Sequence, residues 1–195
     1  TFTKAEEVGT TIAQAALNAL GDGVSCTEPF LQVVSGRIPL PLKHLPTLDE
    51  LGLSLAELRE RRQALPPESS EAKQLSIEEV YLTVLQASLE DYKAEGRSEL
   101  DVPLQALAVG DTVLVGIPGE PFAELGLSIK EGWEPAQVLV VAYANGYFGY
   151  FPTMEAFQEG GYEAETSVFH PSAIQVLTTE ARRLIAAVLG KLGLG

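Results

Sequence analysis

At 195 residues, 46% of them apolar, the chain is long enough to form one domain, or one large piece of a bigger one, around a substantial core. A formal charge of −14 disfavours nucleic acid, whose phosphates need clustered Lys and Arg, and equally disfavours an anionic membrane surface. Cys26 is the only cysteine, which rules out an intrachain disulfide and a thiolate zinc site, and no apolar run approaches the ~20 residues that span a bilayer.

The first residues, TFTKAEEVGTTIAQAALNAL, carry Glu6 and Glu7 and read as an amphipathic helix rather than a signal peptide. Thr3 with Glu6 has the capping-box pattern, Val8, Ile12, Ala16 and Leu20 share a face, and Gly21 and Gly23 stop the helix. The chain opens on Thr rather than Met, which leads us to expect that it begins inside a longer gene product. Phe30–Leu42 is extended, and Pro39 and Pro41 confine it to an edge strand. Thr47 with Glu50 caps a second helix that ends before Pro66 and Pro67. SIEEVYLTVLQASLEDY forms a third, with Ile77, Val80, Tyr81, Val84 and Leu89 expected on its buried face, and the two helices are expected to pair as an αα-hairpin on a sheet.

Beyond Asp101 the period changes. DVPLQALAVGDTVLVGIPG reads as strand, Gly110-Asp111 turn, strand, which signals a β-hairpin. PFAELGLSIKEGW is a short helix and Gln137–Tyr143 a continuous apolar run of the buried-strand type. Strand, helix, strand makes a βαβ unit, so Thr112–Ile117 and Val138–Ala142 are expected to lie parallel and adjacent. Ala144–Phe169 is rich in Gly and aromatics without periodicity. Pro171, Ser172 and Gln175 then open a last helix carrying Ile174, Leu177, Ala181, Leu184, Ile185 and Val188. The fold class is α/β: a mixed sheet with a βαβ unit and a hairpin, flanked by helices, residues 1–195 forming a single unit.

Two junctions carry chemistry. In GIPGEPF, Glu120 follows a buried strand and opens a helix, at the sheet end where open α/β folds bind ligands, and the helix N-terminus favours its ionised form. Gly119 lets another group approach the backbone closely. The second junction, YANGYFGYFPTMEAFQEGGYE, follows the parallel neighbour and so leaves on the same side. Four of the six tyrosines, Tyr143, Tyr147, Tyr150 and Tyr162, fall within these 20 residues. Their polar tips on apolar bodies suit amide polarisation, ligand stacking or metal ligation, while a buried aromatic cluster under a long loop is the plainer alternative. His44 and His170 are isolated and give no metal-ligand spacing, and no nucleophile elbow, P-loop or dinucleotide fingerprint occurs.

GDTVLVGIPGEPFAELGLSIKE and VVAYANGYFGYFPTMEAFQEGGYEAETSVFHPSA resemble the neutral/alkaline ceramidases and their bacterial relatives, chiefly over Asp101–Ala187. That resemblance implies the C-terminal part of a zinc-dependent amidase domain acting on N-acyl sphingosine or a related N-acyl lipid. It implies Glu120 and Tyr150 as metal ligands and Tyr162 as the catalytic tyrosine that stabilises the anionic transition state; Tyr147, in the same tyrosine-rich loop, is read as a substrate-binding residue. The family's two zinc histidines and its serine near the metal lie upstream of anything in this chain, and neither His44 nor His170 matches them. The chain alone is therefore expected neither to hold zinc tightly nor to hydrolyse amides, and its expected partners are the missing N-terminal part or a second copy. Family members are often secreted or extracytoplasmic. The alternative is a non-catalytic α/β ligand-binding or assembly module.

Overall fold

A computed structural model describes residues 1–21, 23, 30–134 and 136–191; Cys26 lies outside them. The chain divides into two compact units, Thr1–Phe30 and Leu31–Gly195.

The first unit carries helix α1 (Phe2–Gly21), none of whose residues is buried. The Thr3–Glu6 box does not start it. The Thr1 carbonyl already accepts from the Lys4 and Ala5 amides, so Thr3 sits inside the first turn, where its side chain no longer caps.

The second unit is built on a four-stranded mixed sheet in the order β1-β2-β3-β5, where β1 is Leu31–Pro41, β2 Glu99–Val109, β3 Thr112–Gly116 and β5 Gln137–Val141. β1 is an edge strand, as its prolines require, antiparallel to β2 from Leu31↔Val109 to Pro41↔Glu99. The β2–β3 hairpin turns at Gly110, whose φ of 61° belongs to the left-handed region. β3 and β5 run parallel from Thr112↔Gln137 to Gly116↔Val141, as the βαβ pattern predicts. The crossover is α4 (Ala123–Lys130). The α/β class with a mixed sheet is what the chain adopts.

One face of the sheet is packed. Leu40, Leu100, Val102, Leu104, Val113, Val115 and Val138 cluster with Leu177, Ala181, Leu184, Ile185 and Val188 of the last helix, α7 (Ala173–Lys191). Burial of each large aliphatic side chain here stabilises by about 1.5–3 kcal/mol. Arg182 of α7 donates to the Ser128 and Glu131 carbonyls, satisfying the end of α4, and lies 4.8 Å from the Trp133 ring centre.

Helices α2 (Leu48–Gln63) and α3 (Ser70–Tyr92) pair as expected, with Arg59 and Arg62 both reaching Glu79. The Thr47–Glu50 capping box is fully formed. Thr47→Ala is expected to cost about 1 kcal/mol in urea unfolding, with an unchanged midpoint contradicting that role. The buried face of α3 is Ala72, Leu75, Leu85 and Leu89, while Ile77 and Val80 are exposed. Ser69 caps α3 earlier than the SIEEV pattern suggests, and the row that meets α2 begins at Ala72 and Leu75, turned away from Ile77 and Val80. The Gln137–Tyr143 run is not buried on both sides either: Leu139 and Val141 are 45% and 40% exposed. Among the described residues no helix is long and apolar enough to cross a membrane.

Candidate functional site

β3 and β5 end together, so the segments after Gly116 and Val141 leave the sheet side by side. Backbone hydrogen bonds then lace them. The Ile117 amide donates to the Val141 carbonyl (2.8 Å), Ala144 to Ile117 (3.0 Å), Tyr143 to Gly119 (2.9 Å) and Phe148 to Pro118 (2.8 Å). Downstream the two segments form a second, parallel two-stranded ladder, β4 (Glu120–Pro121) with β6 (Tyr150–Phe151). Glu120 pairs directly with Tyr150, and its amide donates to the Gly149 carbonyl at 2.9 Å.

Gly119 makes this ladder possible. A side-chain carbon there would run into the Gly149 carbonyl and come within 2.7 Å of the Phe151 ring. The close approach expected at Gly119 is therefore made by the second junction's own backbone. Tyr143 and Asn145 hold φ of 56° and 67°, unusual for a bulky tyrosine and retained because the lacing over-determines the turn.

Glu120 does not open a helix. Helix α4 starts at Ala123 with Glu124 in its first turn, so the helix N-terminus is not what faces the Glu120 carboxylate. Tyrosines face it instead. The Tyr147 hydroxyl donates to Glu120 Oε1 at 2.7 Å, and the Tyr143 ring stacks on Tyr147 at 5.7 Å and 7°. Tyr150, beside Glu120, has its phenol pushed up to about 12, by burial first and then by the negative charge and hydrogen bonding of Glu120. Tyr147 is raised by burial first, then by its hydrogen bond to Glu120 and by the negative charge there, and Tyr143 chiefly through its hydrogen bond to Glu120. At neutral pH these phenols are neutral, and the Tyr147 hydroxyl donates to Glu120.

Tyr162 joins through α6 (Tyr162–Thr166), which follows α5 (Met154–Glu159), two short helices inside the aperiodic stretch. Its ring meets Tyr150 edge-on at 5.8 Å and Tyr81 at 5.7 Å. The Lys43 ammonium fixes the end of α6 by donating to the Glu165 carbonyl at 2.9 Å, and burial lowers the pKa of Lys43. Ser167 donates to the Tyr150 carbonyl at 2.9 Å, securing β6 from behind.

Tyr81 and Tyr92 of α3 extend the cluster, Tyr92 packing on Phe148 at 5.3 Å. The sequence places Tyr81 on the helix's apolar face and does not mark Tyr92, and neither is read there as a site residue. The signal was their spacing: 11 residues is close to three helical turns, which puts both on one side of α3. His170 Nδ1 accepts from the Ser172 amide at 3.2 Å, at the start of α7, and His44 lies exposed beside Lys43 and Arg97. Among the described residues no three His, Cys, Asp or Glu side chains gather as a metal site.

The raised phenols have a consequence for stability. Above the ordinary value of 10.0 the folded chain binds more protons at Tyr92, Tyr143, Tyr147 and Tyr150 than the unfolded chain does. Their contribution is whole below pH 10 and is lost as pH rises toward about 12, whereas the Lys43 contribution acts oppositely and is complete by its ordinary value of 10.5. A fall in urea midpoint across that range, with phenolate absorbance appearing late in the folded state, is the expected result. A midpoint constant across it would contradict the cluster.

Known proteins match part of this chain. Over 74 residues it is 38% identical to the neutral ceramidase of Mycobacterium tuberculosis, an alignment covering 35% of this chain and 12% of that protein. Over 96 residues it is 31% identical to neutral ceramidase A of Dictyostelium discoideum, covering 45% of this chain and 13% of that protein. Part of this chain is related to the neutral ceramidases. The matched stretches thus span little more than a tenth of these relatives' length. The crystal structure of the neutral ceramidase from Pseudomonas aeruginosa shares the fold with a TM-score of 0.51 at 17% identity, over 83% of this chain and 29% of that one. No family model matches.

Proposed function

We propose that this chain is the C-terminal part of the catalytic unit of a ceramidase-type hydrolase that cleaves the amide of an N-acyl sphingosine or related N-acyl lipid. Glu120 and Tyr150 would be two ligands of its zinc. The observation that supports this reading is their direct pairing in the β4–β6 ladder, which puts a carboxylate and a phenol side by side on rigid backbone.

As a donor set the pair fits part of a zinc site: two oxygens, where a catalytic zinc takes at least three protein ligands. The remaining ligands belong to polypeptide outside this chain. When bound, zinc polarises the amide carbonyl or lowers the pKa of a water. The chain's own residues do the rest. The Tyr147 hydroxyl holds the Glu120 carboxylate in one orientation, as outer hydrogen bonds to ligands do. The exposed, stacked Tyr143–Tyr147 pair offers an aromatic surface to the apolar part of the substrate. Tyr162, held by α6 against Tyr150, donates its hydroxyl to the amide oxygen as negative charge builds there.

Hydrolysis of an N-acyl sphingosine tests this. The complete polypeptide is expected to be active with zinc and inactive as Glu120→Ala, and the isolated chain to be inactive. An unchanged rate in Glu120→Ala overturns the site, and zinc-dependent turnover by the isolated chain overturns the division of the site between segments.

A further inference from the structure

Among the described residues of the second unit, no element packs over the face of the sheet opposite α7, and that face is apolar in register. Val33 pairs with Leu107, Leu107 with Leu114 and Leu114 with Leu139, so one aliphatic side chain per strand forms an unbroken row across all four strands. Val33 and Leu139, at the ends of the row, are 47% and 45% exposed, and Leu31 beside it is 62% exposed. A parallel pair such as β3–β5 is ordinarily buried on both faces, and an apolar, open edge strand such as β5 invites pairing. The sequence of β5 is itself a continuous apolar run of the kind that fits a strand covered on both sides.

This face runs into the candidate site. The row next to the aliphatic one is Ser35, Gln105, Gly116 and Val141, and the Asn145 side chain lies against Gly116. From there a furrow of about 440 Å³ passes Arg37 and Asn145 to Tyr147, which holds Glu120. The occupant is indicated by extent. The solved ceramidase that shares this fold has more than three times as much chain as is matched here, and the curated relatives are longer still relative to their matched stretches.

We propose that the Val33–Leu107–Leu114–Leu139 face is the docking surface for a second, apolar-faced layer from further polypeptide of the same catalytic unit. That layer carries the remaining groups of the site to the Tyr147 end of the furrow. This rests on the amidase reading for what the layer delivers, but not for the layer itself.

The test compares the isolated 195-residue chain with the complete polypeptide, each as wild type and as Val33→Lys/Leu139→Lys. An apolar-surface dye, light scattering and thermal unfolding are read on all four. The isolated chain is expected to bind dye and to lose that binding in the variant, with its Tm unchanged. The complete polypeptide is expected to exclude dye, and its variant to bind dye and lose at least about 4 °C of Tm. If that variant does not fold, Leu139→Ala should still lower Tm in the complete polypeptide and leave it unchanged in the isolated chain. The proposal is overturned by a Tm unmoved in the complete polypeptide, by a reading frame with no further polypeptide, or by an isolated chain that forms a dimer which the double substitution dissociates. Glu120→Ala in the complete polypeptide separates the two readings, because it is expected to lose metal while still excluding dye.

Discussion

Gly119→Ala is expected to be among the most destabilising single substitutions in the second unit, lowering stability by about 1–3 kcal/mol or more in urea unfolding. The added carbon has nowhere to go. On one side it meets the Gly149 carbonyl, a backbone atom that already accepts from the Glu120 amide, and on the other the Phe151 ring. Phe151 is fully buried and stacked on Phe169 at 4.9 Å, so it cannot swing away without opening the core. Relief therefore comes from separating β4 from β6, which moves Tyr150 away from Glu120. Lost stability is expected to be accompanied by earlier ionisation of Tyr150 and Tyr147, because both are raised partly by Glu120. Gly119→Ala with wild-type stability and late phenols would show that the ladder tolerates the methyl group and that its close approach is not required.

Tyr162→Phe should leave the fold intact and remove turnover in the complete polypeptide, lowering kcat by about 10²–10³ with KM little changed. The ring keeps its contacts with Tyr150 and Tyr81, so the phenyl group suffices for packing. Only the hydroxyl disappears, and its proposed work is done when the amide oxygen becomes an oxyanion. A rise in KM at constant kcat would instead assign Tyr162 to ground-state binding. Equal kcat and KM would remove it from the mechanism.

Much of the architecture was readable in the sequence, because it is local. The Thr47–Glu50 box, the Gly110-Asp111 turn, the prolines of β1 and the apolar run of β5 each announce themselves within a few residues. The parallel β3–β5 pair followed from the spacing of two such runs, and with it the shared side of Glu120 and the tyrosine-rich loop. The direct pairing of Glu120 with Tyr150 was not readable, because 30 residues separate them and two-residue strands leave no period. The helix-terminus role given to Glu120 failed for a related reason: Pro121 and Phe122 extend the backbone before α4 can start, so a second ladder takes the place of a first helical turn. Tyr81 was read only as part of the apolar face of its helix and Tyr92 not at all, because the period of that helix is otherwise aliphatic. The β5 run was read as covered on both faces, and the open face found in its place is what points to a missing layer.

Zinc content is the most direct measure of whether Glu120 and Tyr150 act together. The complete polypeptide should be purified as wild type, Glu120→Ala and Tyr150→Phe, dialysed against a weak chelator and analysed for metal. The wild type is expected to retain zinc and both variants to lose it, with affinity down by more than about 100-fold, beyond what outer hydrogen-bond partners alone account for. Equal zinc in all three proteins would contradict the assignment of this ladder as part of a metal site.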